Sequence, residues 1–314
     1  MAYRFNLAQP VECEVQRVAL EQIDKALAEI DDEQLDRQEV VHQVRKRCKK
    51  LRGLLRLVRV ALDDPDLYTF ENGYFRDAAR DLSGVRDAEV LIKTCDKLME
   101  TSAGDRERDA FRDAQRELVF QREQLDPEGP AVASKLATFR DRMLEARQRI
   151  GCWRLCVEGP EAAKAGLKRT YRRGRRAIRK AYDTPSGENF HEWRKRVKYH
   201  WYHGRLLREA WEPVLKPWIG ELDRLASQLG DYHDLDVLRQ RIGRMPPQVV
   251  SPETACRLRE LIQARQKDIR AEMLPLGQRV FAEKPKHLTR RLLIYCRVTQ
   301  RAVDPAAKEP SRAT

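Results

Sequence analysis

The chain is poor in the residues that build sheets and turns. Glycine and proline number 15 each among 314 residues. Runs of alternating Val, Ile or Thr are missing, which argues against strands. Long apolar runs are missing too, and none approaches the roughly 20 residues a bilayer-spanning helix needs. The opening "MAYRFNLAQP" carries no hydrophobic signal region, so a cytoplasmic protein is expected. The seven cysteines are an odd number without metal-ligand spacing. Cys152 and Cys156 in "CWRLC" stand at i,i+4 and would share a helix face, but no second Cys or His pair completes a zinc site. Reduced thiols are expected. Aromatic residues are few, at 7%. The most informative absence is local: residues 162–182 contain no Asp or Glu, yet hold nine Lys or Arg.

Hydrophobic residues make up 41% and charged residues 35%, with a net charge of +13. That balance suits a helix-rich protein with long charged faces and a real core. Val15, Val18, Ile23, Leu27 and Ile30 recur at helical spacing over 12–31. Helices follow at about 37–62, up to Ser83, to Thr101, at 105–125 and at 130–150. "DDP", Gly84, "SAGD" and "DPEGP" punctuate them. Asp87 is placed to cap its helix. "VEGPE" at 157–161 reads as a boundary. Six more helices fit 161–182, 187–211, 214–229, 234–243, 252–282 and 285–302, before a tail over 303–314 that reads as disordered.

Six helices, a break and six more suggest a duplication. "HQVRKRCKKLRGLLRLVR" (42–59) aligns without gaps on "HEWRKRVKYHWYHGRLLR" (191–208). "LSGVRDAEVL" (82–91) matches "LGDYHDLDVL" (229–238) at nearly the same offset. The expected fold is all-α: two related helical bundles, residues 5–155 and 160–302, facing each other across a pseudo-twofold axis.

An α-helix turns about 100° per residue. His42, Arg45, Lys46, Lys49 and Arg56 then share one face, with Arg52 at its edge, while Val44, Cys48, Leu51, Leu55 and Val58 lie opposite. In the second copy His191, Arg194, Lys195, Lys198, Tyr202 and Arg205 share the face. Trp193, Val197, His200, Leu207 and Trp211 lie mostly across from it. The helix before it carries Lys168, Arg172, Arg175, Arg176 and Arg179. Like charges at i,i+4 repel by a few tenths of a kcal/mol per pair, so a face nearly free of acids makes sense when an anion neutralises it. Arg forks suit bidentate phosphate contacts, and Lys supplies a compact mobile charge. Among so many cations each histidine should stay neutral near pH 7, and a bound polyanion should draw a proton onto it. Asp87 and Asp234 read as caps or as carboxylates that orient basic side chains. Asp231, His233, Asp234 and Asp236 resemble a metal set only weakly, because the first copy has Gly84, Arg86, Asp87 and Glu89 there.

The two "HxxRKRxK" helices, their companion blocks and the duplicated helical layout resemble the CHAD domain, a histidine-containing α-helical domain that binds inorganic polyphosphate. The resemblance spans about residues 5–302. It implies two bundles enclosing a basic channel that threads linear polyphosphate. His42, Arg45, Lys46, Lys49 and Arg52 would line it from one side, and His191, Arg194, Lys195, Lys198 and Arg205 from the other. Trp201 stands where the first copy has Arg52, a departure from the pattern. Family members often carry a triphosphate-processing tunnel domain. None is visible here, so binding without cleavage and without a cofactor is expected, with polyphosphate granules as a location. Two other classes remain open. A nucleic-acid binder fits the charge, with Tyr171, Tyr202 and Trp201 as the nearby stacking candidates. A phosphohistidine or phosphoanhydride enzyme would use His42 or His191, although such chemistry usually wants carboxylates holding Mg²⁺.

Overall fold

The computed structural model describes residues 3–82, 84–101, 104–124 and 129–303. Those residues form eleven α-helices and no strand, the all-α class expected. The helices are α1 (Val11–Ile30), α2 (Arg37–Val58), α3 (Leu67–Asp81), α4 (Gly84–Thr101), α5 (Asp105–Gln124) and α6 (Pro130–Ile150). They continue as α7 (Lys164–Asp183), α8 (Gly187–Leu206), α9 (Glu212–Ile242), α10 (Pro252–Val280) and α11 (Pro285–Val303).

Local chemistry sets several of these starts. The Asp36 carboxylate accepts the Glu39 backbone N–H at 2.7 Å and caps α2. The Ser186 and Ser251 hydroxyls each accept the N–H three residues on and cap α8 and α10. Gly159, in the expected boundary "VEGPE", has φ +60 and turns the chain into a short 3₁₀ segment (Gly159–Ala163) ahead of α7.

The centre of the molecule is α2 beside α8. Val44, Cys48, Leu51, Leu55 and Val58 are fully buried on α2, and Trp193, Val197 and His200 are fully buried on α8. Trp211 leaves this pattern at 48% exposed, because α8 stops at Leu206. The two helices run antiparallel. Gly53 lies against Tyr202, where a Cβ would come within 3.0 Å of the tyrosine Cβ. Three residues further along α2, Arg56 stacks on Tyr199, three residues back along α8, at 4.1 Å. His203 Nε2 sits 3.1 Å from the Gly53 carbonyl oxygen. Around this pair, α1 packs on α2 and α6, α3 on α2, α7 on α2, α8 and α11, α9 on α8 and α10, and α4 on α5 and α9. One continuous apolar cluster runs from Tyr3 to Cys296. It is sewn by backbone bonds from Cys156 N to Ala61 O, 2.8 Å, and from Phe5 N to Leu206 O, 2.8 Å.

The tightest crossing is α7 on α2. A Cβ at Gly166 would stand 2.0 Å from the Leu57 carbonyl oxygen. Gly166→Ala therefore pushes two backbones apart and should cost about 2 kcal/mol. Denaturant unfolding of the variant checks this, and an unchanged midpoint would show that α7 slides freely.

Three sequence expectations change. The helices expected at 214–229 and 234–243 are one helix, α9. Gly230 does not break it; the Arg194 guanidinium lies alongside, 3.7 Å from where a Cβ would stand. Asp234 is consequently mid-helix and caps nothing. Asp87 lies inside α4, whose first residue is Gly84, and its side chain is outside the description. "CWRLC" follows α6 as a turn and a single bridge to Leu62, so Cys152 and Cys156 share no helix face. All seven thiols are free. The 304–314 tail and most of "DPEGP" lie outside the described residues.

Candidate anion-binding site

The α2–α8 pair gathers cations from both helices. Lys198 on α8 is held below the usual lysine range by burial and by the charges of Arg194, Arg205 and Lys46, with Asp223 opposing. Its Nζ lies 3.8 Å from Asp223 and 4.6 Å from the Trp201 ring centre. Arg205 covers Trp201 at 4.9 Å and Tyr3 at 5.6 Å. Trp201, which replaces a basic residue, is thus a platform that holds two cations apart and fixes their direction. Lys46, Arg194, Lys198 and Arg205 form the group that the structure brings together.

Other predicted residues take supporting positions. Arg45 donates to the Ala79 carbonyl at 3.1 Å, and Arg52 Nε donates to Asn72 Oδ1 at 3.2 Å, so both turn toward α3. Lys49 is exposed and His42 half-buried on α2. His191 packs on His233, ring centres 4.3 Å apart. Burial, then Lys195 and Arg194, lower the His191 pKa. Burial, then His191 and Arg194, bring His233 down to about 4. Both rings are neutral at pH 7, as the crowd of cations implies. Lys195 and Arg196 share the Glu192 carboxylate. The face is therefore less free of acids than its own sequence suggests, since Glu192 and Asp223 reach it. Arg56 stacks on Tyr199 and donates to the Arg52 carbonyl at 2.9 Å.

Tyr202 departs from its expected place. Its ring is 5% exposed, wedged against Gly53 and edge-on to Tyr3, so it fills the helix crossing and offers nothing to a ligand. Lys168, Arg172, Arg176 and Arg179 on α7 are exposed and Arg175 is half-buried. Among the described residues none of the five makes an ion pair or hydrogen bond to α2 or α8. The α7 cations in a cleft with those helices are Arg169 and Arg173.

Residues that the periodicity did not mark also belong here. Lys50 is 6% exposed, and burial together with Arg47, Arg205, Lys46 and Lys25 brings its pKa down to about 7. His233 reaches the site from α9 through the second sequence block. The acidic residues around it are committed elsewhere: Asp231 pairs with Lys97 at 3.1 Å, and Asp236 accepts Arg239 and Gln240 at 2.8 Å each. Among the described residues no group of three or more His, Cys, Asp or Glu is placed to hold a metal, and no helix is long and apolar enough to cross a membrane.

An all-helical protein with two antiparallel basic helices at its centre is the class defined by this geometry. Over residues 17–243 the chain matches the family model of the CHAD domain, and it belongs to that family. The match runs from α1 to the end of α9, short of α10 and α11. CHAD domains are known for binding inorganic polyphosphate. No curated protein sequence matches the chain.

Proposed function

We propose that the protein binds inorganic polyphosphate along the basic face of α2 and α8, and that it does so without cleaving it. The observation that carries the reading is the convergence of Lys46, Arg194, Lys198 and Arg205 from two antiparallel helices on one place. Their mutual repulsion is unfavourable when the site is empty and is relieved by closely spaced phosphates. Supporting it is the way aligned residues meet: Gly53 faces its counterpart Tyr202. Arg56 stacks on Tyr199, and Arg205, the counterpart of Arg56, acts on Lys50, the counterpart of Tyr199. Reciprocal pairs of this kind are what a twofold between duplicated halves produces, so we read the site as a shared seam between them. Polyphosphate granules would be the natural location for such a protein.

Nucleic acid is the weaker reading. Two of its three stacking candidates, Tyr171 and Tyr202, are buried, and Trp201 is covered by cations. The test is calorimetric titration with long-chain polyphosphate, tripolyphosphate and duplex DNA of matched charge, in buffers of different ionisation enthalpy. Polyphosphate should displace DNA and take up protons, because bound phosphates raise the pKa of His191, His233 and Lys50. With Mg²⁺ present no orthophosphate should be released. DNA that survives polyphosphate challenge would overturn the reading, and steady phosphate release would make the protein an enzyme.

A further inference from the structure

A second group of cations stands beside the α2–α8 seam. Arg56 and Arg59 from α2, Arg169 and Arg173 from α7, and Arg196 from α8 line one narrow cleft. Its volume is about 30 Å³, too little for a length of chain. Two of the guanidinium groups are held in position before any ligand arrives: Arg56 lies 4.1 Å from the Tyr199 ring centre and Arg59 lies 4.2 Å from that of Tyr68. Among the described residues no carboxylate pairs with Arg59, Arg169 or Arg173. Glu192, bound to Arg196, stands at the cluster's edge. Burial, then Arg196 and Arg169, lower the Arg173 pKa, the direction expected of cations that crowd one another.

The aligned position in the chain is built differently. Arg47 aligns with Arg196, and the helix before it, α1, supplies Glu29, whose carboxylate takes the Arg47 guanidinium at 3.1 Å. The helix before Arg196 supplies Arg169 and Arg173 instead. One junction is closed by an internal ion pair, and the other is left with a surplus of arginine. A core does not require that surplus, since both α7 arginines are exposed.

We infer that the Arg56–Arg59–Arg169–Arg173–Arg196 cleft is a separate oxyanion site that takes a terminal phosphoryl group, the doubly charged end of an inorganic polyphosphate or free orthophosphate. Five planar donor forks around one small cleft match the three outer oxygens of a terminal phosphate better than the two of an internal one. The assignment to a chain end rests on the polyphosphate reading above; the oxyanion site itself does not.

The experiment compares linear tripolyphosphate, cyclic trimetaphosphate, which has no end, and orthophosphate. Each is added to the wild-type chain and to an Arg169→Gln/Arg173→Gln variant. Both positions are exposed, and removing repulsion should leave the melting temperature without ligand equal or higher. In ³¹P NMR the end phosphates of the linear chain should broaden before the internal one in the wild type, and lose that selectivity in the variant. Linear over cyclic affinity should fall by about tenfold, the equivalent of one lost charge-assisted contact. Orthophosphate should raise the wild-type melting temperature and leave the variant's unchanged. Equal broadening of end and internal phosphates, or the same linear preference in both proteins, overturns the inference. If orthophosphate protects only the wild type while long polyphosphate binds neither, the oxyanion site stands and the reading of the seam falls.

Discussion

Replacing Lys46, Lys49, Arg194 and Lys198 together by Gln should weaken long-chain polyphosphate binding by about three orders of magnitude. The reasoning is additive and crude. A hydrogen bond to a charged group contributes about 1.5–3 kcal/mol when desolvated, and less at a half-exposed site, so four such contacts give roughly 4–5 kcal/mol. Lys46 and Lys198 act on each other across the two helices, and Arg194 acts on Lys198, so the changes reach both helices of the seam and leave Arg205 as its remaining central cation. The salt dependence gives an independent readout. A single-stranded polyanion shows a slope of about 0.7 per phosphate neutralised, so the log–log slope should flatten by roughly 3. The fold should not suffer, because repulsion is being removed. Affinity within a few-fold of wild type, at an unchanged slope, would place the anion elsewhere on the molecule.

Acid should unfold the protein steeply below about pH 6, and His200→Leu should blunt that loss. His200 is fully buried among Tyr171, Trp218 and Phe281, and among the described residues neither ring nitrogen has a hydrogen-bond partner. Burial brings its pKa down to about 3, and nearby His203, also fully buried, is brought to about 3 as well. The unfolded chain binds protons on both near pH 6.5, so between that value and about 3 the unfolded state holds more protons than the fold. Stability is therefore fully present above pH 6.5 and falls as the pH drops through that window. At pH 4 the loss is about 3 kcal/mol for each ring. Leucine has a similar volume and does not titrate. The variant should match or exceed wild type at pH 7.5, where two unpaired nitrogens have been removed, and exceed it by an additional 2–3 kcal/mol or so near pH 4.5. Denaturant unfolding at the two pH values decides this. Parallel losses in both proteins would mean that His200 is hydrated or partnered in solution.

The all-helical class, most helix limits and the apolar backs of α2 and α8 were legible because a 3.6-residue period and capping residues are local signals. Lys46, Arg194, Lys198 and Arg205 could be chosen on the same ground: they occupy one face of their own helices. What period cannot report is the neighbour. Tyr202 shares that face but meets Gly53 head-on, so the crossing consumes it. Lys50 sits between the basic and apolar faces, and only its burial and the surrounding cations explain a pKa near 7. On α7 nine cations in 20 residues left no pattern from which to choose. Packing against α2 and α8 brings Arg169 and Arg173 into a cleft with those helices. The helices expected at 214–229 and 234–243 run on as one, because local punctuation does not report how α9 packs on α8 and α10 along its length.

The antiparallel course of α2 and α8 has a consequence for what kind of polymer can lie along them. If α2 and α8 are duplicated helices, as proposed, a track made of the two pointing opposite ways reads nearly the same from either end. Inorganic polyphosphate also has no direction, so it can enter from either side and every register shift by one phosphate is equivalent to the last. A single nucleic-acid strand has a 5′ and a 3′ end, and would meet its contacts in reversed order on the second helix. On the proposed reading such a seam would favour a ligand that can slide, and the arginine cleft at one end would give that sliding a place to stop.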